Sequence, residues 1–255
     1  MRRREAQRKA GLLGLRPIAV PSAAGTSIES ARRAPQIVTM GQTPRQYRLP
    51  RRRLLVAAAA TVLAAPAHRA WAALAVTPRQ TPGPFYPRTL PLDIDNDLAR
   101  IAGHAQDAAG IIAHVSGRIL DVDGQPISDA KVEIWQCDSH GRYHHVDDRN
   151  PAPLDPDFQG YGVAVSARDG GYRFRTIRPV PYPGRTPHIH FTIAAPRGRR
   201  LVTQMYVAGE PLNERDPVLA QIRDRAARAA VIVPLAPAPE IEPAALAGTF
   251  NLVMG

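Results

Sequence analysis

The residues best suited to chemistry in this 255-residue chain lie in the segment Tyr182-Pro183-Gly184-Arg185-Thr186-Pro187-His188-Ile189-His190-Phe191. Two histidines two apart lead into Phe191, Thr192 and Ile193, a run that reads as the start of a β-strand. On a strand, residues i and i+2 point to the same face, so both imidazoles can address one metal ion. Tyr182 and Arg185 stand just upstream, on a turn made by prolines and a glycine. Neutral imidazole suits zinc, copper, iron or nickel, whereas a phenolate is a hard anionic oxygen donor that favours a higher-valent metal. Histidine with tyrosine therefore leans towards ferric iron, and a zinc or copper site on His188 and His190 is the competing reading. A His-x-His pair by itself is a weak signal, because half-buried strand histidines share the same spacing.

Short strand-like runs separated by turns must position these side chains. His114–Val122 ends at Asp123-Gly124, and Ala130–Cys137 alternates Val132, Ile134 and Gln136 against Lys131, Glu133 and Trp135. Tyr161–Ala167 and Tyr172–Ile177 flank the tight-turn signal Asp169-Gly170-Gly171, while His188–Ala194 and Leu201–Ala208 flank the basic loop 197–200. Such short strands joined by glycine-bearing turns argue for a β-sandwich rather than an α/β fold. One helix is expected at about 214–229 with Asn213 as its N-cap, followed by strands at 230–235 and 249–253. Before the strands, Thr77-Pro78-Arg79-Gln80-Thr81-Pro82-Gly83-Pro84-Phe85-Tyr86-Pro87 is too rich in proline for helix or central strand, and is expected as an extended arm. Its Phe85 and Tyr86 distinguish it from a linker. Gly141-Arg142-Tyr143 offers a second tyrosine on a loop past the Trp135-Gln136 strand end, and Gln204 falls on the strand after the histidine strand.

The net charge of +11 suggests nucleic acid until it is divided along the chain. Residues 1–72 carry 14 Lys+Arg against two acids, whereas residues 73–255 hold 19 basic and 20 acidic side chains. The body is neutral and shows no basic stripe interleaved with aromatics, so nucleic-acid binding is not expected. Arg51-Arg52-Arg53 precedes a twelve-residue apolar run, Leu54 to Ala65, and Ala70-Trp71-Ala72 forms an A-x-A cleavage site. The run is short for a membrane span and suits a signal peptide. Its Arg51-Arg52-x-Leu54-Leu55 order resembles a twin-arginine signal, which implies export of a folded protein to the periplasm or beyond. The expected division is therefore a leader over 1–72 and a catalytic body over 73–255. Within the leader, 1–39 reads as a start-site artefact or disordered extension and 40–72 as the signal. Cys137 is the single cysteine, so no intrachain disulfide or cysteine cluster can form, and it is expected as a small buried side chain.

Several ordered motifs resemble one family. Val132-Glu133-Ile134-Trp135-Gln136, Gly141-Arg142-Tyr143, Tyr172 to Ile177, Pro181-Tyr182-Pro183 and His188-Ile189-His190-Phe191 are similar to the intradiol ring-cleavage dioxygenases. Thr203-Gln204-Met205-Tyr206 and Leu246 to Phe250 are similar to the protocatechuate 3,4-dioxygenase branch in particular. The resemblance covers nearly all of residues 78–255. It implies an all-β, transthyretin-like sandwich with one short helix and an extended N-terminal arm, and a homo-oligomer. It also implies a non-haem Fe(III) held by Tyr143, Tyr182, His188 and His190. The implied activity is insertion of O2 into a catechol-type ring, protocatechuate-like, to give a cis,cis-muconate-type product. In that scheme Tyr182 leaves the metal and helps take a substrate proton, Arg185 stabilises negative charge on the ring, and Gln204 stands near the O2 site. Arg142 and Arg173 are the candidates for recognising a substrate carboxylate. Arg185 follows Tyr182 by only three positions, where well-known protocatechuate enzymes carry a longer insertion. The alternative is a non-catalytic transthyretin-like binding module, with which Gly117–Gln136 is also compatible.

Overall fold

The computed structural model describes residues 74–91 and 93–255, and the leader expected over 1–72 lies outside them. Among the described residues the chain is a two-sheet β-sandwich. The first sheet holds β1 (Ile112–Asp121), β4 (Gly171–Ile177), β8 (Ala236–Pro237), β9 (Leu246–Thr249) and β10 (Leu252–Met254). The second runs β3–β2–β5–β6–β7 across the sheet: Tyr161–Val165, Lys131–Trp135, His188–Ala194, Arg200–Val207 and Ile232–Val233. Between them Val115, Ile119, Val132, Ile134, Phe174, Ile189, Phe191, Ile193 and Met205 form the main core. Each such fully buried apolar side chain contributes roughly 1.5–3 kcal/mol.

Six of seven residues in β5 are buried, a pattern alternation alone would not give for a sheet with one wet face. Part of the outer face of the second sheet is covered by the arm. Leu74 N donates to Val122 O, Thr77 N to Val253 O and Gln80 N to Val202 O, so the arm runs from the end of β1 across β10 to β6. Phe85 and Tyr86 then pack on a second apolar cluster made of Trp135, Cys137, Tyr143 and Tyr161. The expected arm is thus a structural layer.

The helix expected over 214–229 forms only at its end, as α1 (Arg225–Ala230), with the Asp224 side chain accepting from Ala227 N. Upstream there are two 3-10 turns, Pro211–Glu214 and Leu219–Gln221. Pro217 is the physical reason, since it disfavours α geometry at Asp216 and cannot donate into a helix. Asn213 is not an N-cap: its amide donates to Val207 O and accepts from Thr186 Oγ1. The terminal strands also differ from expectation, with β9 and β10 interrupted at Phe250-Asn251. Among the described residues no helix is long and apolar enough to cross a membrane.

Candidate metal centre and active site

Strand register assembles the centre of the site. His190 pairs with Trp135 on one side and with Gln204 on the other, and Trp135 pairs in turn with Tyr161. Directly paired residues share a face, so Tyr161, Trp135, His190 and Gln204 form a row across four strands. His188 lies two residues back on the same face, paired with Tyr206. The Nε2 atoms of His188 and His190 are 3.1 Å apart.

Two loops bring the tyrosines to this face. Pro183 and Gly184, the latter at φ +83°, make a turn closed by Arg185 N donating to Tyr182 O. It folds Tyr182 back so that its ring centroid is 5.4 Å from that of His188. Tyr143 is carried on a loop knitted by Asp138, whose Oδ1 accepts from His140 N and Arg142 N, and by Asp148, which accepts from Tyr143 N at 2.6 Å. Gly141 has φ +75°, and a Cβ there would meet Pro181 O at 2.8 Å, so this loop can lie against the Tyr182 segment only without a side chain. The Tyr143 ring ends 5.4 Å from that of Tyr182 and 6.2 Å from that of His190.

The polar atoms of this cluster fit a metal ion. His188 Nδ1 lies 2.6 Å from Thr186 O and so carries the ring hydrogen, leaving the Nε2 lone pair free. For metal–nitrogen bonds of about 2.1 Å, two imidazole nitrogens at right angles stand about 3 Å apart, which matches the pair. The Tyr143 hydroxyl and His190 Nδ1 are buried without hydrogen-bond partners. An unpartnered buried hydroxyl is costly unless something binds it. Burial drives Tyr143 well above the ordinary tyrosine pKa. Burial likewise raises Tyr182, against the opposing charge of Arg185. Burial, with Arg185 adding to it, takes His188 down to about 4, and His190 is pushed well below the usual histidine value by burial and by His188. Both imidazoles are therefore neutral at pH 7, as ligation requires. Among the described residues no group of three or more His, Cys, Asp and Glu side chains could hold a metal. A metal at the histidine pair would take its further protein ligands from Tyr143 and Tyr182.

A family model described as Dioxygenase matches residues 81–254. The chain belongs to the intradiol dioxygenases. It is 43% identical over 133 residues to the protocatechuate 3,4-dioxygenase beta chain of Burkholderia cepacia, a stretch covering 49% of this chain and 57% of that one. It is 35% identical over 157 residues to hydroxyquinol 1,2-dioxygenase of Nocardioides simplex, covering 53% and 49% of the two. The chain spans about half the length of these curated relatives. Among solved structures, the intradiol ring-cleavage dioxygenase from Tetranychus urticae superposes with a TM-score of 0.55 at 25% identity, over 71% of this chain and 95% of that one.

All six site residues expected from this intradiol dioxygenase sequence come together: Tyr143, Tyr182, Arg185, His188, His190 and Gln204. Arg185 donates from Nη1 to the Tyr182 hydroxyl at 3.3 Å and from Nη2 to Gln204 Oε1 at 2.6 Å. Gln204 is held at both ends of its amide, because its Nε2 donates to Thr81 O and its Oε1 also accepts from the Tyr206 hydroxyl. The two candidate carboxylate partners differ in placement. Arg173 is exposed on β4 of the other sheet, and Arg142 Nη1 donates to Ala152 O at 2.6 Å. Cys137 is buried as expected, with its thiol raised to about 12 by burial.

Sequence reasoning missed three contributors. Gln80 from the arm accepts from Gln204 N and donates to the Tyr206 hydroxyl, which anchors the arm beside the site. Gly83 then passes over His190, its added Cβ falling 3.2 Å from His190 Cε1. Asp216 receives the Arg185 Nε at 2.8 Å. Proline density marked the arm as extended but carried no information on where it lands, and nothing local in the sequence ties Asp216 to Arg185.

Proposed function

We propose that this chain is a ferric intradiol dioxygenase that opens a catechol-type ring between its two hydroxyl-bearing carbons, incorporating both atoms of O2 to give a cis,cis-muconate-type diacid. Tyr143, Tyr182, His188 and His190 hold the iron. The observation that carries this reading is the convergence of two neutral imidazoles 3.1 Å apart with two phenols, one of them buried and unpartnered. Ferric iron bound there would act as a Lewis acid that binds the catecholate and makes its ring reactive towards O2.

The chain's own groups supply the rest. Tyr182 Oη, half-buried and within reach of Arg185 Nη1, would take a hydroxyl proton from the incoming catechol as the phenolate that metal ligation requires. Arg185 stays cationic and places fixed positive charge beside the ring, where it stabilises developing negative charge without reorganisation. The Thr186 carbonyl on His188 Nδ1 and the Trp135 indole on the His190 ring hold the imidazoles in orientation. From the arm, Gly83 packs against His190 and Phe85 against Tyr143 and Tyr182, which walls one side of this face. Protocatechuate-like specificity belongs to this proposal through the likeness to the Burkholderia cepacia beta chain, as do a homo-oligomeric state and export through the leader.

A visible spectrum under air with a panel of catechols, together with oxygen uptake, tests the reading. A burgundy protein with tyrosinate-to-iron charge transfer, bleached or shifted by catechols with consumption of O2, is the expected result. A colourless protein from iron-replete cells, or one holding only zinc or copper, overturns it. N-terminal sequencing of secreted protein should begin at Ala73, and an intact Met1 would remove export from the proposal.

A further inference from the structure

Arg185 is fixed by three different partners, one at each guanidinium nitrogen. Nε donates to Asp216 Oδ2 at 2.8 Å, Nη2 to Gln204 Oε1 at 2.6 Å and Nη1 to the Tyr182 hydroxyl at 3.3 Å. Because the guanidinium is planar, holding Nε and Nη2 sets the direction of Nη1. Asp216 is itself rigid. It is 1% exposed, its Oδ2 also accepts from Thr186 N at 3.0 Å, and its Oδ1 accepts from Val218 N at 3.0 Å and Leu219 N at 2.8 Å. Leu219 is fully buried, so the turn presenting Asp216 is pinned to the core. Thr186, the residue whose carbonyl orients His188, therefore also donates to the carboxylate that orients Arg185.

We propose that Asp216 is a positioning residue for the reaction, acting through Arg185 to hold Nη1 at the Tyr182 oxygen and so beside the substrate ring. A buried carboxylate used only to balance charge could sit at either edge of the guanidinium. This one takes Nε through one oxygen and leaves the far nitrogens for Gln204 and Tyr182. The proposal rests on the ring-cleavage reading for its consequence, and on the hydrogen-bond geometry alone for its existence.

Two double-mutant cycles with Asp216→Asn and Arg185→Gln in the full chain test it, one read by the thermal midpoint and one by kcat on catechol. Asp216→Asn is expected to lower kcat about 10- to 100-fold, the range for outer partners of metal-site groups, with KM within about twofold and iron content unchanged. The double variant should be no slower than Arg185→Gln alone, and the losses in thermal midpoint should be likewise non-additive. Independent, multiplicative losses in kcat, or a folded Asp216→Asn protein with wild-type kcat, overturn the positioning role. Should Asp216→Asn fail to fold, Arg185→Lys decides. It keeps the charge but lacks the fork, so a loss of the same order supports positioning and near-wild-type turnover rejects it. If the wild-type chain consumes no O2 with any catechol, the functional reading falls, and the thermal cycle alone decides whether the clamp exists.

Discussion

The Trp135 indole lies flat on the His190 imidazole, with ring centroids 4.8 Å apart and planes 5° from parallel. Cross-strand pairing places them opposite each other, and Tyr86 holds the indole edge-on at 5.0 Å. Since His190 Nδ1 has no hydrogen-bond partner, this stack and Gly83 on the arm are what orient the ring. Trp135→Leu should therefore weaken iron binding about 10- to 100-fold in a chelator competition, and Trp135→Phe should weaken it less. Equal affinity in all three proteins would show that the stack does not orient the ligand.

Gly83 sits at φ +69° beside His190, and both the conformation and the 3.2 Å approach oppose a side chain. The left-handed conformation costs an L-residue roughly 1–2 kcal/mol, enough to loosen the arm locally where it passes His190. Gly83→Ala should speed tryptic cleavage after the exposed Arg79 and cut turnover about tenfold or more, as misplacement of a wall does. Unchanged cleavage and turnover would mean the arm absorbs the methyl group.

Iron that binds only the folded chain adds stability by mass action. At a free-iron concentration 100 times its dissociation constant the gain is about 2.7 kcal/mol. For a body of this size that corresponds to a thermal midpoint about 5–10 °C lower after chelation. Scanning calorimetry of stripped and reloaded protein measures it, and Tyr143→Phe with His190→Ala should abolish the difference.

Part of the acid sensitivity should come from a cluster on the first sheet. Arg175 reaches Asp97, Asp107 and Glu242 together. Its hydrogen bonds hold the Asp107 and Glu242 carboxyls below their ordinary values, so they bind fewer protons folded than unfolded. Their contribution is full above the unfolded carboxylate pKa of about 4 and fades as pH falls through the depressed folded values. Asp97 runs the other way, because burial raises it despite Arg175. Arg175→Gln should flatten the loss of stability below about pH 4 in urea titrations. An unaltered slope would show that the cluster does not govern acid unfolding.

Much of the site was legible because strand periodicity is local. His188 and His190 must share a face if 188–194 is a strand, and Tyr182 must turn back if Pro183 and Gly184 form its corner. The same local reasoning failed over 214–229, where a helix-like composition surrounds Pro217 and the chain instead makes 3-10 turns that deliver Asp216. It gave no position for Arg142 and Arg173, named for their charge; Arg173 is exposed on β4 of the other sheet and Arg142 lies on the loop that carries Tyr143.

The sequence by itself determined the candidate donor residues, the strand that carries two of them and the proline-rich arm, because residue type, alternation and fixed φ angles act within a few residues. Only the tertiary structure decided that Trp135, His190 and Gln204 form one row, that Gly83 closes over it and that Asp216 aims Arg185. Those relationships join segments up to more than a hundred residues apart, and they are set by strand register and by which buried polar groups find partners, neither of which any local window of sequence contains.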